Sequence, residues 1–356
     1  MFQRKLINVN NTISNSTNLS SFTLLTYNIL SQSYMWPQVY KYVPAKYKSW
    51  EYRHKLLEYE ILKLYNADII CLQELTSRDY EYYWRKKLSK FNKGSDFICK
   101  TPPKYWTKAA DDLDGVGIFY NLDMFELIDS NGIRLSDFLI SDFEQPELDY
   151  LASRKLVLTD GEGRQIKVSN ILDVLEEKNQ VCLFMTLKHK RTGATVVVVT
   201  THLYWKYDEI KLTQCMIIMR QLSKIMKDQL KKDGSSFVKV LFAGDLNSNR
   251  NSVVINFLKG QILNNNKLNM LNPMRAYLNR TIYDDIPNST YLNTCYSGKL
   301  KGVFDYIWYH DAEFRMTKIL SGKEVSQELL ELEQHGLPNA DHPSDHIPVL
   351  AEFQIL

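Results

Sequence analysis

Residues 240–248 read Val-Leu-Phe-Ala-Gly-Asp-Leu-Asn-Ser, an apolar run of strand length that stops abruptly on Asp245 and Asn247. The same grammar recurs along the chain. Val-Val-Val-Val-Thr-Thr-His-Leu (196–203) ends on His202, Ala-Asp-Ile-Ile-Cys-Leu-Gln-Glu (67–74) ends on Glu74, and Thr-Tyr-Asn-Ile-Leu (26–30) places Asn28 near its close. Phe-Asp-Tyr-Ile-Trp-Tyr (304–309) opens with Asp305, and Pro-Ser-Asp-His-Ile-Pro (343–348) brings Asp345 and His346 just ahead of a last apolar run. Short apolar runs bounded by turn residues read as buried strands. In layered α/β folds the ends of such strands converge on one edge, so these polar groups are expected to meet.

Helical patterns fill the intervals. Tyr52–Leu64 carries Leu56, Leu57, Ile61 and Leu64 on one side, Thr76–Phe91 is charged and amphipathic, and long helices are expected over Lys211–Leu230 and Ser252–Gly260. Strands are expected at Phe22–Ile29, Ala67–Leu72, Gly115–Tyr120, Val181–Lys188, Ala194–Thr201, Val238–Ala243, Val303–Tyr309 and Ile347–Phe353. Helices fall both between strands and after hairpin-like pairs, which predicts a mixed α/β layered sandwich rather than a pure parallel sheet. The weakly patterned stretch 131–178, with Asp-Gly-Glu-Gly at 160–163, reads as an insertion into a single domain over residues 22–356.

Composition narrows the class. Of 356 residues 44% are hydrophobic and 24% charged, which excludes a disordered or fibrous chain. The 44 Lys and Arg against 41 Asp and Glu leave a net charge of only +3, so nucleic-acid affinity has to come from a local patch. No apolar run reaches the ~18 residues of a membrane span. Five cysteines, at 71, 99, 182, 215 and 295, are far apart and form no Cys-x-x-Cys pair, which fits a reducing compartment better than a disulfide framework or a zinc site. Residues 1–21 are rich in Asn, Ser and Thr, contain Arg4 and Lys5, and hold no acid; they read as a disordered tail or as a transit-type segment.

Taken singly, each polar group has an ordinary structural role. Asn28 fits a turn, Asp245 and Asn247 fit the cap of the helix near 252, Glu74 fits a first-turn acid, and either histidine fits a structural imidazole. Together they supply hard-oxygen ligands, an orienting amide and two imidazoles. That inventory suits Mg²⁺-assisted phosphoryl chemistry.

The phrases TYNIL, ADIICLQE, DGVGIFY, TTHLYW, GDLNS, FDYIWY and PSDHIP, in this order, resemble the endonuclease/exonuclease/phosphatase superfamily across residues 22–356. The stretch TTHLYWKYDEIKLTQ (200–214) resembles its deadenylase-type branch, which contains nocturnin, the Angel proteins and the large carbon-catabolite-repression deadenylase, and in particular the budding-yeast nuclease-like members, one of which is mitochondrial. The resemblance implies a DNase I-like fold, a four-layered α/β sandwich of two mixed β-sheets flanked by helices. It implies that Glu74 is the main Mg²⁺ carboxylate, with Mn²⁺ able to substitute, supported by Asn28 and Asp345. Asp245 would orient or deprotonate the attacking water with Asn247 beside it. His346, held by Asp305, and His202 would face the phosphate.

The implied activity is a 3′-to-5′ exoribonuclease working on single-stranded RNA 3′ ends in mitochondria, with the cytoplasm as the alternative location. A phosphatase for a nucleotide cofactor or an RNA terminal phosphate is a second reading, and a non-catalytic RNA-binding protein a third. Leucine-rich repeats of the kind the large deadenylase uses for assembly have no counterpart, so that assembly is not an expected partner. Its adenine-stacking aromatic, five residues before the catalytic Asp, is replaced by Leu300, which lacks a π-face. Lys299 and Lys301 flank it, and Lys104 and Trp106 lie in a lysine–aromatic stretch before DGVGIFY; all five are candidate substrate contacts.

Overall fold

A computed structural model describes residues 4–9, 20–103, 106–233, 238–261, 268–298 and 300–356, with Lys232 and Asp233 as backbone only. In chain order its strands are β1 Leu6–Asn8, β2 Ser21–Asn28, β3 Ile69–Thr76, β4 Lys93–Cys99, β5 Asp114–Asn121, β6 Phe125–Arg134, β7 Lys155–Thr159 and β8 Gln165–Asn170. They continue with β9 Val181–His189, β10 Thr195–His202, β11 Val238–Asp245, β12 Arg280–Thr281, β13 Cys295–Tyr296, β14 Lys301–Gly302, β15 Asp305–Tyr309, β16 Phe314–Leu320 and β17 Val349–Ile355.

Two mixed sheets result. One has seven strands in the order β1-β16-β17-β2-β3-β5-β4, the other six in the order β12-β15-β11-β10-β9-β6. The central strands bury both faces, which is why they read as unbroken apolar runs. Along β3, Ile69 and Cys71 face the opposing sheet, whereas Ile70 and Leu72 face a helical layer built on Leu57, Ile61, Leu62, Tyr80, Trp84 and Leu88. On the far side, Cys215, Ile218, Met219 and Leu222 of the helix Asp208–Asp233 close the core of the six-stranded sheet. The order is helix, sheet, sheet, helix, the DNase I-like sandwich that the resemblance implied.

The helix at Trp50–Glu58 starts on a Ser49 side-chain cap and widens into π-type turns to Tyr65, where Asn66 at φ +38° ends it. Several strands escaped the sequence reading, among them β4, β6 and β16, whose exposed faces break the apolar pattern. Residues 131–178 are more than an insertion. They complete β6 and continue as helices Gln145–Ser153 and Ile171–Glu177 around the β7–β8 hairpin. The hairpin turns at Asp160–Gly163, and Leu135, Leu139, Leu151, Val174 and Leu175 join the main core.

The expected tail is corrected in part. Residues 1–3 and 10–19 lie outside the described residues, but Leu6–Asn8 pairs antiparallel with β16, and Val9 is buried in the core. Arg4 anchors this strand. Its guanidinium donates to the carbonyls of Ser321 (2.7 Å) and Pro348 (2.6 Å) and to the Tyr291 hydroxyl (3.0 Å). A half-buried charged donor held by several oxygens is a strong tether, because its removal strands the acceptors. Arg4→Ala is therefore expected to cost about 2–3 kcal/mol of folding stability. An unchanged urea midpoint would show that the N-terminal strand is ornamental to the fold.

Candidate active site

Strand register alone assembles most of the polar cluster. Parallel pairing of β10 with β11 sets His202 opposite Asp245, and antiparallel pairing of β11 with β15 sets Asp245 opposite Asp305. In the facing sheet β2 runs parallel to β3, placing Asn28 opposite Gln73, one residue before Glu74. Because β17 is antiparallel to β2, with Val349 opposite Thr26, the loop carrying Asp345 and His346 rises beside Asn28. Gly244 permits the close approach of β10 and β11 here, since a Cβ would lie 2.2 Å from the Thr201 carbonyl oxygen.

Glu74 sits where β3 slips register against β5, at φ +56°, so that this one residue leaves the pleat and turns its carboxylate toward Asn28. Asn247 is likewise left-handed at φ +47°. Strained backbone at both positions is the kind retained where a side chain must be aimed.

The contacts close into a network. The Asn28 amide nitrogen donates to Glu74 Oε1 at 3.0 Å and to Asp245 Oδ2 at 2.9 Å, while its oxygen accepts from the Leu30 N–H. The second Glu74 oxygen accepts from the Ser31 N–H. Asp245 Oδ2 also faces His202 Nε2 at 3.5 Å and His346 Nε2 at 3.6 Å. His346 Nδ1 lies 2.8 Å from Asp305 Oδ2, and that same oxygen accepts from Thr294 Oγ1. Asp345 accepts from the Tyr40 hydroxyl at 2.8 Å. Asn247 donates its amide to the Leu203 carbonyl, and its own carbonyl accepts from Lys211.

Electrostatics separate the two imidazoles. Burial by itself would lower the pKa of His346, but Asp305, Cys295 and Asp245 overcome it and hold the ring cationic, well above its ordinary value. At His202 burial wins over the pull of Asp245, with Lys100 and His346 adding repulsion, and the ring falls to about 4. One histidine is thus charged at neutral pH and its neighbour neutral. Glu74 is raised to about 8 by burial and then by the carboxylates of Asp345 and Asp114, against the help of Asn28 and Ser31.

That raised carboxylate is a test of metal fit. Glu74 and Asp345 are buried acids whose hydrogen-bond partners are neutral, and their mutual repulsion is what a hard divalent cation would relieve. The Asn28 NH₂ faces the carboxylates and its oxygen accepts from the Leu30 N–H, so in this arrangement the amide orients the acids. Of the expected metal ligands, Glu74 and Asp345 are the two that present buried carboxylates.

Asn28, Glu74, His202, Asp245, Asn247, Asp305, Asp345 and His346 are brought together as expected. Leu300 stands at the rim, 44% exposed, with its carbonyl accepting from Cys295 Sγ, and Lys301 is exposed on β14. Trp106 is tied to its own loop, through Nε1 to the Ala109 carbonyl. Lys104 and Lys299 lie outside the described residues. Sequence reasoning missed the supporting groups. Arg53, fully buried, donates to the carbonyls of Ile29, Leu30 and Pro343 and so clamps the two site loops together; Lys100 forms a buried 2.7 Å ion pair with Asp114. Only the oddity of an arginine on an apolar helix face hinted at the first.

The profile of the Endonuclease/Exonuclease/phosphatase family matches residues 25–346. RNA exonuclease NGL1 of Saccharomyces cerevisiae is 61% identical over 338 residues, 94% of this chain and 93% of that protein. The CCR4-Not complex 3′-5′-exoribonuclease subunit Ccr4 of Kluyveromyces lactis is 30% identical over 97% of this chain, which spans 42% of that longer protein. Among solved structures, ANGEL2, described as a 2′,3′-cyclic phosphatase, superposes with a TM-score of 0.69 at 22% identity, covering 100% of this chain and 99% of that one.

Because Glu74 binds its proton more tightly when folded than when unfolded, it contributes stability below the ordinary carboxylate range that is lost as pH rises toward about 8. In metal-free protein, Glu74→Gln should abolish that loss. Its melting temperature should therefore gain on wild type between about pH 5 and pH 9, while its hydrolytic activity is lost. Parallel melting curves across that range would remove Glu74 from the strained, cation-seeking role assigned to it.

Proposed function

Because the chain belongs to the endonuclease/exonuclease/phosphatase family, whose members hydrolyse phosphate esters, we propose that it is a 3′-to-5′ exoribonuclease acting on single-stranded RNA 3′ ends, with Mg²⁺ as its ion and Mn²⁺ able to substitute. The observation that carries this reading is the Asp245 carboxylate. It is buried, fixed by the Asn28 amide, and faced by two imidazoles of opposite charge state.

In the mechanism that follows, Asp245 positions and deprotonates the attacking water, a contribution worth roughly 10²–10⁴-fold for general bases. The His346 imidazolium, fixed by Asp305, faces the negative charge that grows on the phosphoryl and departing oxygens as the P–O bond breaks. Neutral His202 presents Nε2 on the same side. Asn247, pinned through Leu203 and Lys211, keeps the strand end rigid beside the water. Glu74 and Asp345 would hold the hard cation, whose charge would offset that of the phosphoryl group.

RNA is supported as substrate by the likeness to the 61%-identical RNA exonuclease NGL1. A phosphatase for a nucleotide cofactor or RNA terminal phosphate is the second reading, favoured by one feature: an aliphatic Leu300 at the exposed rim gives a base no π-face on which to stack. End-labelled oligo(A) and oligo(U) with 3′-hydroxyl, 3′-phosphate or cyclic-phosphate ends should be shortened one nucleotide at a time in Mg²⁺, with EDTA stopping and Mg²⁺ restoring the reaction. In the same assay Leu300→Phe should raise kcat/KM on oligo(A) relative to oligo(U), since an aromatic stack is worth up to roughly 1–3 kcal/mol per base. Release of terminal phosphate without shortening, and an unaltered base ratio in a stable variant, would favour the phosphatase.

We also propose a mitochondrial location, supported by the acid-free, hydroxyl-rich composition of residues 1–21. Since Arg4 and Leu6–Val9 are part of the folded domain, the segment would be retained after import rather than cleaved. Residues 1–25 fused to a soluble reporter should carry it to mitochondria, and the imported full chain should keep its N-terminal mass. A cytosolic reporter together with a cytosolic full chain would place the enzyme in the cytoplasm.

A further inference from the structure

Cys295 has so far entered the chemistry only as an electrostatic neighbour of His346, yet its thiol lies inside the cluster. Its thiol, an oxygen of Asp345 and a ring nitrogen of His346 all fall within 4.8 Å of one another, and all three residues are buried. The backbone holds them there. Cys295 forms a bridge to His346, the Tyr296 N–H donates to the Asp345 carbonyl at 2.7 Å, and the Ile347 N–H donates to the Thr294 carbonyl at 2.8 Å. The thiol is free of any disulfide, and its contact with a carbonyl is the weak 3.5 Å one to Leu300.

From this geometry we propose that Cys295, Asp345 and His346 form an inhibitory site for a soft or borderline divalent ion, Zn²⁺ or Cd²⁺, superimposed on the active centre. Thiolate, imidazole and carboxylate are a zinc-type donor set, whereas an oxygen-seeking Mg²⁺ gains nothing from sulfur. Tetrahedral zinc with ordinary bond lengths needs its ligand atoms about 3.4–3.6 Å apart, so the trio has to contract by no more than about 1.4 Å. The strand bridge fixes the backbone while side-chain rotation closes the gap, with water completing the fourth position. Binding exchanges two protons for the metal: the thiol S–H and one imidazolium N–H are broken, S–Zn and N–Zn bonds form, and both protons leave to solvent.

The consequence is functional, because two of the three ligands are shared. Asp345 is one of the acids assigned to the hard cation, and His346 is the imidazolium facing the phosphate. An ion seated on both would cost the site its charge pattern and its access in one step. The inhibitory effect rests on the catalytic reading given above; the metal site itself does not.

Metal-free protein titrated with Cd²⁺ should develop the near-ultraviolet thiolate-to-cadmium charge-transfer band with one equivalent, and Cys295→Ser should lack that band. In excess Mg²⁺, Zn²⁺ should inhibit hydrolysis reversibly, and Cys295→Ser, scored against its own zinc-free rate, should need at least about tenfold more Zn²⁺ for the same fractional inhibition. Cys295→Ala repeats both measurements if the serine variant folds poorly. Zinc X-ray absorption on the wild-type chain checks the site without any variant, through a sulfur shell at about 2.3 Å. A cadmium band and zinc sensitivity that survive loss of Cys295, or a zinc spectrum with no sulfur shell, would overturn the proposal. If the protein hydrolyses no phosphate ester while the band behaves as stated, the metal site stands and the catalytic reading falls.

Discussion

One side-chain amide joins the two halves of this molecule. Asn28 ends a strand of the seven-stranded sheet, and its nitrogen spends both hydrogens on carboxylates from different sheets, Glu74 on its own and Asp245 on the other. The oxygen is fixed in turn by the Leu30 N–H. The amide therefore cannot rotate without stranding two buried acids, and the separation of the sheets at this edge is set by a hydrogen-bond length. Packing elsewhere holds the sheets together; this contact holds them in register for chemistry. The Ser344 hydroxyl, which donates to the Asn28 carbonyl at 2.7 Å, adds the loop of Asp345 and His346 to the same point.

Around that point the charge distribution is graded. Two carboxylates, Asp245 and Asp305, are spent on imidazole and keep His346 cationic. Two others, Glu74 and Asp345, are spent on neutral donors and repel one another. Lys100 and Asp114 cancel as a pair a short way off, yet each leaves a trace, Lys100 by pushing His202 down and Asp114 by pushing Glu74 up. Buried acids without a counter-charge are costly. The side of the cluster on which the cost is left unrelieved is the side where a cation belongs, so the site is polarised before any ligand arrives.

What the sequence made legible follows the same physics. Strand ends could be read because a core strand must be apolar until it leaves the core, and Glu74, His202, Asp245 and Asp305 each mark such an exit. Register then did the rest, pairing His202 with Asp245 and Asp245 with Asp305. What stayed hidden depends on geometry with no periodic signature. The bulge that turns Glu74 out of the pleat, the direction of the Asn28 amide, the Arg53 clamp and the Arg4 tether all arise from chain segments far apart in sequence. Cys295 is the sharpest case. Spacing along the chain argued against zinc, and only folding sets the thiol beside an imidazole 51 positions away.

The division between strand and loop also explains why reaction and substrate are unequally determined. Every polar group of the cluster is fixed by a sheet edge or by a loop tied to one, so the geometry of the cluster depends on the fold. The groups that would meet the rest of a substrate stand on segments free of that constraint. Leu300 follows β13 at the rim, Trp36 is half-exposed after the turn beyond Ser31, and Trp205 lies half-exposed beside Lys206 just past His202. Substitution at such positions changes which leaving group is held while leaving Asp245 and His346 where they are. The fold shared with ANGEL2 at 22% identity sets where the strand ends lie, while the exposed side chains at the mouth are free to differ from one such protein to another.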